Sequence, residues 1–422
     1  MIARVQRGPL QGRIEAPPSK SYTHRALVLG ALADGVSVVR GPLVSADTEA
    51  TMDALTALGI GLSRAPGRVD LRGGTLSTPA GDLDARNSGT TLRLVCSVAA
   101  LLDTTVGLTG DESLRRRPIG PLIDALGQLG ARCEYRAAAG CAPVRVRGPL
   151  SGAAAKLPGD VSSQFVSSLL LAAPCKATDT SIVLTTTLAS APYVEVTLEM
   201  MERFGVTVER SPGVYRVRGG EGYLPAAVTV PGDYSSAAFL LAGAAVSGGR
   251  VVVDNLEVLS RQADARITPL LSLMGAGVRR EDGGIAASAG ELRGREIGLR
   301  DSPDLFPALA VVAAAAKGKT RLTGAPHLRL KESDRIAAVA RMLAAMGVGV
   351  RELPDGLEVE GGRLRGAVVD PGGDHRIAMA AAVAGLAAEG TTTVLGAECV
   401  RVSYPAFFEH LRRLGALVEV SA

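Results

Sequence analysis

An internal period is the strongest constraint on how this chain can fold. A run of apolar residues, a glycine and a β-branched or alternating stretch recurs six times. The runs are ALTALGIGL at Gly59, ALGQLGARCEY at Gly130, MMERFGVTVER at Gly205, LLSLMGAGVRRE at Gly275, MLAAMGVGVREL at Gly347 and HLRRLGALVEVS at Gly415. Successive glycines lie 71, 75, 70, 72 and 68 residues apart. A fixed period of this size marks a repeated structural unit, and the glycine supplies the left-handed cap that ends a helix before a strand. Each unit is predicted to run strand, buried helix, strand, amphipathic helix, glycine, then two short strands. The alternation VRVRG (144–148), YRVRGG (215–220) and LEVEGG (357–362) marks those last strands.

Three units precede Pro231-Gly232 and three follow. The expected fold is therefore α/β with two similar lobes, residues 19–230 and residues 1–18 plus 231–422. The opening strand, Ile2 to Ala16, is expected to join the second lobe. Lobes whose buried helices point the same way leave a cleft between them, and small-molecule sites tend to occupy such clefts.

The buried helices are predicted to begin near Ser21, Asn87, Ser162, Asp233, Asp304 and Asp374. All six starts are Ser, Asn or Asp, good N-cap residues, followed by runs apolar on nearly every face, as in a fully buried helix. Lys20 with Arg25, Arg93, and His375 with Arg376 sit in or beside those first turns. Cations there oppose the helix dipole. They make sense if an anion docks where free N–H groups already point outward.

Composition narrows the partners. A net charge of +4 on 422 residues, 3% aromatics and no Trp give neither a basic nucleic-acid surface nor a stacking platform. The five cysteines form no CxxC pair, and Cys96 and Cys175 lie in or beside apolar runs, as free thiols of a reducing compartment do. MIARVQRGPL has no apolar signal core, and the run Ala308 to Ala316 is too short to span a membrane. The expectation is a soluble cytoplasmic protein with no membrane or nucleic-acid partner. GKT at 318–320 lacks the first P-loop glycine, Ala313 standing in its place; four scattered histidines make no zinc site, and no GxSxG is present.

Several motifs crowd polar groups at the helix starts. PPSKSYTHR brings Lys20, Ser21 and Arg25; NSGTTLR brings Asn87, Gly89, Thr90 and Arg93. SLRRRPIG sets Arg117 before Pro118, expected at a helix N1 position. SSQF offers Ser162, Ser163 and Gln164, and SAPYVEV offers Ser190 and Tyr193. In LRLKESDRI, Lys331 and Arg335 are four apart, expected on one helix face, where their repulsion would reverse around a bound anion. SPDLFPAL supplies Asp304, and GGDHRIAM supplies Asp374, His375 and Arg376. Each has an ordinary reading as a cap, a packed side chain or a solvated charge. Their recurrence at equivalent points of the repeats argues for a shared anion site.

In order and spacing, PPSKSYTHRALVLGAL, NSGTTLRL, RRRPIGPL, SSQFVSSLL, SAPYVEVT, LRLKESDRI and GGDHRIAMA resemble the 5-enolpyruvylshikimate-3-phosphate synthase family over essentially the whole chain. The resemblance implies two lobes of three βαβαββ units with buried parallel helices, an inside-out α/β barrel arrangement with the active site in the inter-lobe cleft. It implies transfer of enolpyruvyl from phosphoenolpyruvate to the 5-hydroxyl of shikimate 3-phosphate, by a monomer without cofactor or metal. Ser21, Arg25, Ser162, Ser163, Gln164, Ser190, Tyr193 and Lys331, with Lys20 and Asp304, would hold shikimate 3-phosphate. Lys20, Asn87, Gly89, Thr90, Arg117, Gln164, Arg335 and Arg376 would hold phosphoenolpyruvate, with Arg93 and Asp374 in support.

By the same resemblance Asp304 would take the hydroxyl proton. Glu332, a task Lys20 would share, would protonate the methylene carbon, and His375 would support the site. Two positions depart from the pattern. Val402 stands where some members carry lysine, with Arg401 expected to point away along a strand, and His327 stands where many carry asparagine. Gly89 is retained, which implies inhibition by glyphosate.

Two rival readings are a transferase acting on UDP-N-acetylglucosamine and a nucleic-acid protein related to RNA-terminal phosphate cyclases. The first family carries a reactive cysteine in the loop matching Asp111 to Arg117, where this chain has none. Asp304 and Glu332 together, without basic surplus or aromatics, count against the second.

Overall fold

The computed structural model describes residues 1–281 and 283–421. The chain divides into two compact units, Pro18–Val230, and Met1–Pro17 with Pro231–Ala422. Among the described residues, each is built from three four-stranded sheets.

The unit Pro18–Val230 contains α1 (Lys20–Leu32), α2 (Ala46–Ala57), α3 (Gly89–Ala99), α4 (Gly120–Gln128), α5 (Ser163–Ala172) and α6 (Ala191–Arg203). The other unit contains α7 (Tyr234–Ser247), α8 (Ile267–Met274), α9 (Phe306–Ala315), α10 (Arg335–Ala345), α11 (His375–Gly385) and α12 (Phe407–Arg413). The odd-numbered helices are buried over nearly their whole length, as apolar residues on every face require. Within its unit, α7 packs on α9 and α11, and α3 packs on α5. Each unit has its own apolar core.

The period Gly59, Gly130, Gly205, Gly275, Gly347 and Gly415 marks the expected feature. All six have positive φ, between 82° and 102°, where an L side chain is strained. Each follows an even-numbered helix and turns the chain into a strand.

All six sheets share one pairing plan: a parallel pair at one edge, followed by two antiparallel pairings. Glu296–Gly298 runs parallel to Lys319–Thr323, which pairs antiparallel with Gly356–Glu360, which pairs antiparallel with Gly349–Leu353. The repeats close on themselves. Ala227–Thr229, last in its unit, runs parallel to Gly35–Arg40 of that unit's first sheet. At the chain start the single strand expected from Ile2 to Ala16 is two strands in different sheets. Ile2–Gln6 inserts between Thr391–Val394 and Val418–Ser421, and Gln11–Glu15 runs parallel to Arg250–Asp254. Pro9 breaks the run between them.

Some local expectations fail. The cap of α1 is Ser19, not Ser21. α3 is capped by Ser88, whose side chain accepts from the Thr91 N–H, so Asn87 lies just outside the helix. Pro118 forms an isolated bridge with Cys141 instead of starting a helix; Pro121 fills the first turn of α4. Residues 397–402 form a 3-10 helix, so Arg401 and Val402 are not on a strand.

Candidate active site

In the unit Pro18–Val230 the starts of the buried helices gather cations. Lys20 opens α1, with no acidic residue in that first turn, and its ammonium lies 2.9 Å from Asp47. Asp47 is held in the first turn of α2, whose start is fixed by a capping box between Ser45 and Thr48. The sequence reading missed Asp47. Its signal is the S-x-D-T cap, which puts a carboxylate in a first turn where its charge is favoured.

One turn into α1, Arg25 is almost wholly buried. Its guanidinium donates to the Ser21 carbonyl at 2.9 Å, the Tyr193 carbonyl at 2.9 Å and the Thr197 hydroxyl at 2.7 Å. That fork brings Ser21 and Tyr193 together across α1 and α6. Burial lowers its pKa to about 10, against the raising effect of Tyr22 and Tyr193. It remains a cation at neutral pH.

Arg93 joins α3 to α5. It donates to Gln164 Oε1 at 2.6 Å and lies over the Phe165 ring at 5.3 Å, while Gln164 Nε2 donates to the Thr90 hydroxyl at 3.0 Å. Arg117 grips Asn87 twice, through its carbonyl at 3.1 Å and Oδ1 at 2.6 Å. Gly89 lies beside both arginines. A Cβ there would stand 3.3 Å from Arg93 Nη1 and 3.5 Å from Arg117 Nη1. Ser162 caps α5 by accepting from the Gln164 N–H at 3.3 Å, with Ser163 buried behind it. Ser190, the residue just before α6, sits at φ 57°, a left-handed conformation uncommon outside glycine that costs of order 1–3 kcal/mol.

The other unit gathers carboxylates around two arginines. Asp304 sits in a 3-10 turn, Pro303–Leu305, leading into α9. It accepts from Arg335 Nη1 at 3.0 Å and from Arg376 Nη2 at 2.9 Å. Arg335, 1% exposed, also donates from Nε to Asp374 at 3.0 Å and from Nη2 to Glu332. Asp374, fully buried, caps α11 by accepting from the Arg376 N–H at 3.0 Å and takes the Ser333 hydroxyl at 3.0 Å. His375, the first residue of α11, is buried beside it.

Lys331 and Arg335 do not share a helix face. Lys331 ends a 3-10 turn, Pro326–Leu330, and α10 starts only at Arg335, capped by Asp334 through the Ala337 N–H. Arg335, read from sequence as a group awaiting an anion, holds three carboxylates here.

Burial alone would raise the Asp304 carboxyl, but Arg376, Lys331 and Arg335 overcome it and hold it well below the usual carboxylate range. Burial likewise disfavours charge on Arg335, and Asp374, Glu332 and Asp304 more than offset it. His327 is pushed down to about 4 by burial first and Lys331 next, so it is neutral at pH 7. The two arrangements are complementary. One is a set of cations and hydroxyls suited to anionic groups, the other a partly buried carboxylate among cations, suited to moving a proton.

The chain is similar to known proteins over essentially its whole length. A family model described as EPSP synthase (3-phosphoshikimate 1-carboxyvinyltransferase) matches residues 5–411. A 3-phosphoshikimate 1-carboxyvinyltransferase of Halobacterium salinarum is 51% identical over 427 residues, covering 99% of each chain. One from Methanocella arvoryzae is 48% identical over 424 residues, covering 100% of each. The solved EPSP synthase of Acinetobacter baumannii superposes with a TM-score of 0.83 at 32% identity over 100% of both chains. With cation-bearing helix starts in one unit and the Asp304 cluster in the other, this chain belongs to the EPSP synthase family.

Proposed function

We infer that the chain transfers the enolpyruvyl group of phosphoenolpyruvate to the 5-hydroxyl of shikimate 3-phosphate and releases phosphate, as a 3-phosphoshikimate 1-carboxyvinyltransferase. The 5-oxygen adds to C2 of phosphoenolpyruvate while a proton adds to the methylene carbon, giving a tetrahedral ketal phosphate. Loss of a proton from the new methyl group and departure of phosphate then regenerate the enol ether. Together the substrates carry about −5 to −6, at roughly −1.5 to −2 per phosphate ester plus two carboxylates.

Lys20, Ser21, Arg25, Ser162, Ser163, Gln164, Ser190, Tyr193 and Lys331 hold shikimate 3-phosphate. Lys20, Asn87, Gly89, Thr90, Arg117, Gln164, Arg335 and Arg376 hold phosphoenolpyruvate, with Arg93 and Asp374 keeping their neighbours in place. Asp304 accepts the hydroxyl proton; Glu332 and Lys20 serve the methylene carbon, with His375 in support. The cations that depress Asp304 are those the incoming anions engage, so substrate binding weakens their pull and raises the proton affinity of the base. An anion on Arg335 likewise competes with Glu332 for the guanidinium. The enzyme acts as a cytoplasmic monomer, which gel filtration near 43.2 kDa would bear out and a dimer's volume would contradict.

The observation that carries this reading is Asp304, a partly buried carboxylate between two arginines, in a chain half identical along its length to named relatives. Mixing the pure protein with both substrates should release phosphate only when both are present. Asp304→Ala should lower turnover by roughly 10²–10⁴ while shikimate 3-phosphate still binds. Near-full activity in that variant would remove Asp304 as the base.

A further inference from the structure

Five of the six buried helices carry an assigned group at or beside their first turn. The exception is α7. Its N-cap Asp233 is followed by Tyr234 and Ser235, so Ser235 occupies the second helical position. In α1, α5 and α11 that second position is held by Ser21, Gln164 and Arg376, and in α3 by Thr90. The repeat therefore aims the second residue of each of these helices at the chemistry, and Ser235 is the unassigned member of the set.

Ser235 is not a bare hydroxyl. It donates to Asp264, a carboxylate 1% exposed in the 3-10 turn Ala263–Arg266 ahead of α8. The turn is clamped to the start of α7 by Gln262, which accepts from the Tyr234 N–H at 3.0 Å and donates to the Gly232 carbonyl at 2.7 Å. α7 also packs against the turn that carries Asp304. A carboxylate buried this deeply costs stability in its charged form unless it is paired and hydrogen-bonded.

We propose that Asp264, fixed by Ser235, is a positioning residue that sets the basicity of Asp304, its negative charge opposing the pull of Arg376, Lys331 and Arg335 on that base. The proposal rests on Asp304 as the proton acceptor. The charges that act most strongly on Asp264 are Asp304 in the turn before α9, Arg376 at the start of α11, and Asp233 at the cap of α7. Burial first, then Asp304, raises Asp264 to about 7, with Arg376 and the Ser235 hydrogen bond pulling the other way. Asp264 therefore gains its charge as pH rises through neutrality, and Asp304 becomes the better base over the same interval.

The test is the pH profile of kcat/KM, which reports groups of the free enzyme. Wild type should show a rising limb near pH 7. Asp264→Asn, which keeps an acceptor for Ser235 but removes the charge, should lose that limb and lower kcat roughly tenfold or more, leaving KM for both substrates little changed. Ser235→Ala keeps the carboxylate but removes its donor, and should move the limb to higher pH. In an Asp304→Asn background, Asp264→Asn should cost nothing further. An unchanged profile in Asp264→Asn overturns the proposal, as does a uniform loss that keeps the limb, or a full loss on top of Asp304→Asn. Failure of Asp304 itself as the base would show separately, as activity retained in Asp304→Asn alone.

Discussion

Asp374 offers the sharpest stability test because both of its oxygens are engaged at full burial. Oδ1 caps α11 through the Arg376 N–H at 3.0 Å and takes Arg335 Nη2 at 3.3 Å; Oδ2 takes Arg335 Nε and the Ser333 hydroxyl, each at 3.0 Å. Asparagine caps a helix as well as aspartate. It has only one acceptor oxygen, however, and its amide would turn a donor toward either the helix start or the guanidinium. Removing one partner of a buried ion pair costs about 3–5 kcal/mol. Arg335 keeps Asp304 and Glu332, so Asp374→Asn falls at the lower end, about 3 kcal/mol. Asp374→Ala also loses the cap and should cost about 1 kcal/mol more. Two compact units need not unfold in one step, so the assay is amide exchange along α10 and α11. Exchange there should accelerate by roughly two to three orders of magnitude in both variants. A change under about 0.5 kcal/mol in Asp374→Asn would refute the reasoning, because it is what a solvated pair gives.

Two further outcomes follow from the same geometry. Gly89→Ala meets no backbone strain and should leave stability unchanged or slightly raised, yet its methyl must push the Arg93 guanidinium by a few tenths of an ångström and comes into contact with that of Arg117. KM for phosphoenolpyruvate should rise about tenfold or more, as for a weakened charged hydrogen bond, and competition by glyphosate against phosphoenolpyruvate should weaken in parallel. An unchanged KM would mean the two arginines do not face that substrate. His24 and His327 are both held below their ordinary pKa, by burial first and then by Lys20 or Lys331. The unfolded chain therefore binds more protons as pH falls below about 6.5, and stability is lost on acidification. For His327 the loss runs from about 6.5 down to about 4 and is of order 3 kcal/mol. His327→Asn should flatten that part of an acid-unfolding curve; an unaltered curve would show that His327 titrates normally.

Much of the site was legible because its residues are local to a periodic signal. Lys20, Gly89, Gln164, Asp304 and Arg376 sit at or just ahead of helix starts, which the sequence announces through a cap followed by an apolar run. Asp47 and Asp264 were missed because their meaning is not local. Asp47 reads as an ordinary first-turn acid until Lys20, 27 residues away, is laid against it. Asp264 reads as a loop residue until Ser235, 29 residues away, donates to it. The helical face shared by Lys331 and Arg335 failed for the converse reason. Spacing promised a helix through 331–335, but Asp334 captured the Ala337 N–H and made Arg335 the first residue of α10.

Taken alone, the sequence determined the six-fold repeat, the burial of alternate helices and the turn at each period glycine. Those depend on side-chain volume, polarity and backbone freedom, which are properties of neighbours in the chain. Only the tertiary structure decided that Ile2–Gln6 and Gln11–Glu15 complete two different sheets, and that Arg335 gathers Asp304, Glu332 and Asp374. Strand pairing and ion pairing are set by which partners are free once the core has closed, and no local pattern records that choice.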